Sequence, residues 1–225
     1  MEDKKEKTKL KIREALTFGW EEVSRRVGFF AVTSFIFMFL PLLITMPIDI
    51  VATLMKGLSS QLLTVFSSLT YSILFIFFIA GFWTILLKTL REERPSFRDF
   101  LDKWKYVPRL VGGYILYFLA VLVGLILFII PGIILSVRLC FFDLLIIDKG
   151  MGPVEALKKS YAMTKGYGWK IFLLVSVVAP ILFVLGVLAL LVGILVTIPI
   201  VYLAKVFFYG KLSNQEVEST PVQVS

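Results

Sequence analysis

Four apolar runs, residues 27–50, 64–90, 110–147 and 169–209, constrain this chain more than any other feature of its sequence. The roughly 30 Å hydrocarbon core of a bilayer takes about 20 apolar residues in helical form, and each run is long enough. Backbone polar groups in lipid must be satisfied within the protein, so spanning runs of this kind fold as helices. Two runs are too long for a single crossing. At 1.5 Å per residue, 110–147 would make a helix of roughly 57 Å, nearly twice the core thickness. Pro131-Gly132 is a turn signal that divides it into spans of 110–130 and 133–148. The run 169–209 has no polar interruption, and Gly186 and Gly193 place its reversal at about 187–194, giving spans of 169–187 and 193–211. The expectation is an all-α polytopic membrane protein with six transmembrane helices.

The distribution of charge supports the division. Hydrophobic residues make up 58% of the 225 and charged residues only 18%, below the quarter or so usual in soluble domains. Lys and Arg fall on alternate connections. Eight lie in 1–26 (Lys4, Lys5, Lys7, Lys9, Lys11, Arg13, Arg25, Arg26), and only Lys56 follows the first span. Seven lie in 88–109, none at Pro131-Gly132 and five in 148–170, while Lys205 and Lys211 close the last span. This alternation is the positive-inside pattern, and it places both termini in the cytoplasm of a multi-pass plasma-membrane protein. A net charge of +8 would suggest nucleic acid in a soluble protein; here cytoplasmic loops facing anionic headgroups account for it, and nucleic acid is not an expected partner. Ser24-Arg25-Arg26-Val27-Gly28-Phe29-Phe30 superficially resembles a twin-arginine export signal. The long run after it contains Pro41 and Pro47 and no small-residue cleavage site, so no cleaved signal peptide is expected.

Between the apolar runs lie amphipathic stretches. Ile12, Leu16, Trp20, Val23 and Val27 recur at helical spacing and predict a short helix on the membrane surface within the N-terminal segment 1–26. Phe97, Phe100, Leu101, Trp104 and Val107 form a second stripe. A third opens at Gly152-Pro153, proline being suited to a helix start, with Val154, Leu157 and Tyr161 on its apolar side. Each stretch precedes a helical hairpin returning to the same side, so the membrane domain 27–211 reads as a threefold hairpin repeat, against the alternative that composition alone makes the pattern recur. The polar tail 212–225 is expected to be disordered.

The most specific stretch runs from Pro131-Gly132-Ile-Ile-Leu-Ser-Val-Arg138 through Asp148 and Gly152-Pro153-x-x-Ala156-Leu157-x-x-Ser160 to Thr164-Lys165-Gly166 and Trp169, with Ala15-x-x-x-Gly19-Trp20 near the N-terminus. Over about residues 10–210 the chain resembles a family of uncharacterised prokaryotic six-helix membrane proteins. These are similar to the membrane domain that precedes the catalytic domain of some glycerophosphodiester phosphodiesterases. The resemblance implies fold and location. It implies no activity, because the catalytic phosphodiesterase domain has no counterpart here.

Few residues offer chemistry. Histidine is absent and Cys140 is the only cysteine, so the usual general base, a thiol cluster and an internal disulfide are all missing, and no cofactor or metal is expected. Arg138, Asp143 and Lys205 are charges set in from the ends of the fourth and sixth spans and form the candidate intramembrane polar site. With an unbroken fourth helix ending near Lys149, Arg138 would lie about 16 Å deep, close to the midplane. It reads either as a solute, ion or lipid-headgroup site or as an internal ion pair or carbonyl cap. Lys158, Lys159, Lys165 and Lys170, with Trp169, are the candidate contacts for anionic lipid. The expected function is a non-catalytic accessory, scaffold or lipid-interacting component, with the bilayer, a membrane-protein partner or a second copy as its partners. A small transporter or channel using Arg138 is the alternative, and a membrane-embedded lipid enzyme the weakest reading.

Overall fold

In the computed structural model residues 10–99, 103–189 and 192–219 are described, and among them there are helices and no strands. Helix α1 (Ile12–Arg25) is followed by a hairpin of α2 (Val27–Leu54) and α3 (Leu58–Leu90). A second hairpin is formed by α4 (Val107–Leu127) and α5 (Ile129–Arg138), and α5 continues after a short turn into α6 (Phe142–Lys149). Helix α7 (Pro153–Met163) leads to the third hairpin, α8 (Gly168–Leu188) and α9 (Val192–Ser219). Six segments are long and apolar enough to cross a membrane, α5 and α6 counting as one, and the protein is an all-α polytopic membrane protein.

Local chemistry sets most of the boundaries. The third-helix run starts at Leu58, earlier than the expected 64, because Lys56 and Gly57 supply the whole turn. Ser60 Oγ then donates to Ala52 O across it at 2.8 Å. In the second hairpin the break falls at Phe128, in extended backbone, three residues before Pro131-Gly132. Pro131 then occupies the first turn of α5, where a helix has no use for its missing N–H. The hairpin closes on glycines: a Cβ on Gly132 would meet Leu125 Cγ at 2.5 Å and Leu125 N at 2.8 Å. The third reversal, between Leu188 and Val192, lies inside the expected window. Gly150, at φ +67°, ends α6 in the left-handed conformation that glycine adopts without strain, and Pro153 starts α7. Residues 212–219 of the tail expected to be disordered belong to α9, and 220–225 lie outside the described residues.

The core gathers at the end of the bundle that carries the basic residues. Residues 78–87 of α3, Phe141 through Ile147 and much of 200–212 in α9 are buried there. The tip of the second hairpin is the opposite, with Ile126 75% and Phe128 73% exposed. Large apolar side chains in such numbers on a surface are what lipid requires and water penalises.

The three amphipathic stretches follow the expected stripes only in part: Val23 is buried and Ile12, Leu16 and Leu157 pack against the core, but other members of the stripes are exposed. Ala15, Gly19 and Val23 form the buried face of α1, while Trp20 is 60% exposed. Small residues at i and i+4, Ala15 and Gly19, let the α1 backbone close onto α9, where a Cβ on Gly19 would lie 2.6 Å from Ile200 O. The helix is thus docked on protein along this face. Gly19→Ala should lower stability by about 1 kcal/mol, the lower end of overpacking costs. Gly28→Ala, with nothing within 4 Å, should be neutral or slightly stabilising when both are compared by thermal unfolding in detergent. At the start of α1, Glu14 sits between Lys11 at 2.7 Å and Lys211 at 3.0 Å. Hydrogen bonds from Lys11 and then Lys211 hold its carboxyl below the ordinary carboxylate range. The lowered value means this tie is intact above the unfolded value and is lost as pH falls through the folded one. The protection factors of the α1 amides, exchange rates corrected for the intrinsic pH dependence, should therefore fall below about pH 4.5 and recover on return to neutrality.

In the second stripe Phe97 contacts Phe29 at 5.1 Å, Trp104 is 69% exposed on a single 3₁₀ turn, and Phe100 and Leu101 lie outside the described residues. Helix α7 buries Ala156, Ser160 and Met163 and leaves Val154 and Tyr161 exposed.

Candidate functional site

The fourth span is not one straight helix. It breaks at residues 139–141, and α7 fills the break. Ser160 Oγ donates to Arg138 O at 2.9 Å and accepts from Phe141 N–H at 3.1 Å, and Thr164 Oγ1 donates to the same Arg138 carbonyl at 3.1 Å. One hydroxyl of α7 and one from the residue that follows it therefore satisfy the backbone groups that the break frees, as buried polar groups require. The polar turn after α7, which carries exposed Lys165, is brought level with Arg138 by the same contacts. Sequence reasoning placed Arg138 near the midplane on the premise of an unbroken 133–148 helix, and that premise fails.

The break also separates the three candidate charges. Asp143, in the first turn of α6, pairs with Lys205 of α9 at 3.1 and 3.3 Å. Their side chains are 6% and 16% exposed. Asp143 also accepts the Leu144 N–H at 2.9 Å, and Lys205 Nζ lies 4.4 Å from the centroid of the Trp83 ring. Each charge thus has two partners, which a charge so far from water needs. Arg138 takes no part. Its guanidinium is stacked on Tyr161 at 4.5 Å.

Asp143 and Lys205 line the floor of a cavity of about 350 Å³ flanked by α4 and α8. Tyr114, Tyr117, Cys140 and Tyr202 complete its polar end. Beside it, sharing Val175, Ala179, Val201 and Tyr202, is a second cavity of about 330 Å³ lined by Pro180, Phe183, Thr197 and Ile198. The two make one groove, charged at one end and apolar along the rest. Along its α8 wall the helix is wound as a π-helix over Leu173–Val178. Pro180 cannot donate to the Ser176 carbonyl, and a widened turn before a proline accommodates the missing bond.

Further polar ties hold the basic end together. Asp148 pairs with Arg91 and accepts from Tyr209 Oη at 2.8 Å. Asp99 pairs with Lys88 at 2.6 Å and accepts the Ser96 N–H at 2.8 Å, and Arg109 donates to Gly150 O at 2.7 Å. Of the candidate lipid contacts, Lys158, Lys165 and Lys170 are exposed and Lys159 is half-buried. Trp169 is 71% exposed and stacked on Phe172 at 5.4 Å. Among the described residues no three His, Cys, Asp or Glu side chains converge as metal ligands. Sequence reasoning did not find Trp83, Tyr114, Tyr117 or Tyr202, because a single aromatic in an apolar run is ordinary and carries no signal of what it faces.

Fold and groove together define a polytopic helical membrane protein with a laterally placed amphipathic cleft. No family model, curated protein or solved structure matches the chain.

Proposed function

We propose that this protein is a non-catalytic, lipid-interacting component of the cell membrane, with both termini in the cytoplasm, and that its groove holds a phospholipid. The observation that carries this reading is the groove itself, charged at Asp143–Lys205 and apolar from Val175 to Phe183. A phospholipid has the same polarity profile, with its headgroup at the ion pair and tyrosines and a chain along α8. The alternating Lys and Arg count supports the orientation. The resemblance to the six-helix family is retained as a proposal of kinship in fold and location, without phosphodiesterase activity.

Native mass spectrometry of the detergent-purified protein tests the reading. The wild-type protein should retain about one phospholipid through washing, and Ala179→Trp or Val201→Trp, which fill the groove with an indole, should lose it. Retention by both variants at the wild-type level would overturn the proposal, as would a lipid-free wild-type protein.

A further inference from the structure

A second groove lies where the first residues of α8 meet α5. It has a volume of about 350 Å³ and is lined by Ile130, Ile133, Ile134, Val137, Trp169 and Phe172, with Arg138 at its edge. The Arg138 backbone is fixed by Ser160 and Thr164, and its guanidinium lies on the face of Tyr161. A guanidinium held over an aromatic ring by its central carbon can still present its fork of N–H donors to a ligand. Among the described residues no carboxylate pairs with Arg138 and no acceptor takes its side-chain N–H groups. Lys165, next to Thr164, and Lys170, next to Trp169, are exposed and add positive charge near the groove.

We infer that Arg138 binds the phosphate of an anionic phospholipid, with an acyl chain lying between α5 and α8 along Ile130, Ile134 and Phe172. Charge complementarity selects the headgroup: a phosphate diester matches the planar fork bidentately, and a net-negative lipid is favoured over a zwitterionic one by the neighbouring lysines. The apolar walls select a lipid over a free anion. This inference rests on the lipid-interacting reading but shares no lining residue with the Asp143–Lys205 groove, so either can fail alone.

Trp169 supplies the readout. The protein in detergent micelles is titrated with phosphatidylglycerol carrying brominated chains, and the quenching that disappears in Trp169→Phe is taken as the signal of this groove. The Trp169-dependent quenching, taken in each background as the difference made by Trp169→Phe, should be the same in the wild-type protein and in Ala179→Trp. Arg138→Gln should need about tenfold more lipid for half-quenching, with Arg138→Lys between the two because a point charge loses the fork. Tyr161→Leu, which removes the platform and keeps the charge, should also be intermediate. Its behaviour guards against misreading a folding defect in Arg138→Gln, and each variant's thermal transition is recorded alongside. Millimolar inorganic phosphate should leave the wild-type curve in place. Identical curves for Arg138→Gln and wild type would overturn the inference, and displacement of the lipid by inorganic phosphate would show a free-anion site instead. If Ala179→Trp alone abolished the Trp169 signal, the two grooves would be one site and the inference would also fall.

Discussion

Lys205→Met should cost the folded protein about 3–5 kcal/mol, the range for breaking one side of a buried ion pair. Asp143 would remain 4% exposed with a single partner, the Leu144 N–H, and the lost ammonium would leave the face of Trp83 bare. Asp143→Leu should cost a comparable amount, because Lys205 would then be held away from water against tyrosine and tryptophan. The double variant Asp143→Leu/Lys205→Met should recover most of the loss, since removing both charges removes the desolvation that their attraction offsets. Reversible unfolding in mixed micelles measures all three. Additive losses in the double variant would mean that the two groups do not act as a pair. The cycle also bears on function: if the pair were present only for stability, the apolar double variant should keep its lipid. The groove account predicts a folded protein that loses it.

The second large effect is expected at the tip of the second hairpin. Gly132→Leu should destabilise by about 3 kcal/mol, at the upper end of overpacking costs. The obstruction is not only the flexible end of a side chain: a Cβ there meets Leu125 N at 2.8 Å as well as Leu125 Cγ at 2.5 Å. On the facing helix a Cβ on Gly124 would meet Gly132 Cα at 2.9 Å. The hairpin can accept the larger residue only by spreading α4 from α5. Gly168→Ala, with nothing within 4 Å, is the matched control and should leave stability near the wild-type value. Gly132 and Asp143 stand on opposite sides of the break at 139–141, roughly 16 Å apart at helical rise, so the effect at the tip should add to that of Lys205→Met rather than couple with it.

Much of the fold was legible in the sequence because the bilayer imposes length and charge rules that act locally. Runs of about 20 apolar residues and alternating clusters of lysine and arginine require no knowledge of what packs on what. Tertiary contact decided the features that were missed. Leu139-Cys140-Phe141 carries no breaker, yet α5 stops there because Ser160 of α7 and Thr164 just after it satisfy its freed backbone groups. In α1 the larger apolar side chains suggested one face, but close approach to Ile200 favoured the small ones at Ala15 and Gly19. Pro131-Gly132 marked the right hairpin at the wrong residue, since proline is better tolerated inside the first turn of α5 than in the reversal itself.

The candidate site was legible only as separate charges. Asp143 and Lys205 stood out because a charge in an apolar run demands a partner, but their 62-residue separation hid that they are each other's. Arg138 stood out for the same reason and found an aromatic face in place of a carboxylate. The walls of the groove had no sequence signature, for valine, alanine and tyrosine in a span look the same whether they face a ligand, another helix or bulk lipid.

Photo-crosslinking tests the central claim most directly. The protein is reconstituted with a phospholipid bearing a photoactivatable group on one acyl chain, and the labelled peptides are mapped. The groove account predicts that adducts concentrate around Val175, Ala179 and Val201, survive detergent washing before irradiation, and vanish in Ala179→Trp. Label spread evenly over the equally apolar outer faces of α4 and α2, with no preference for the groove and no response to Ala179→Trp, would contradict it.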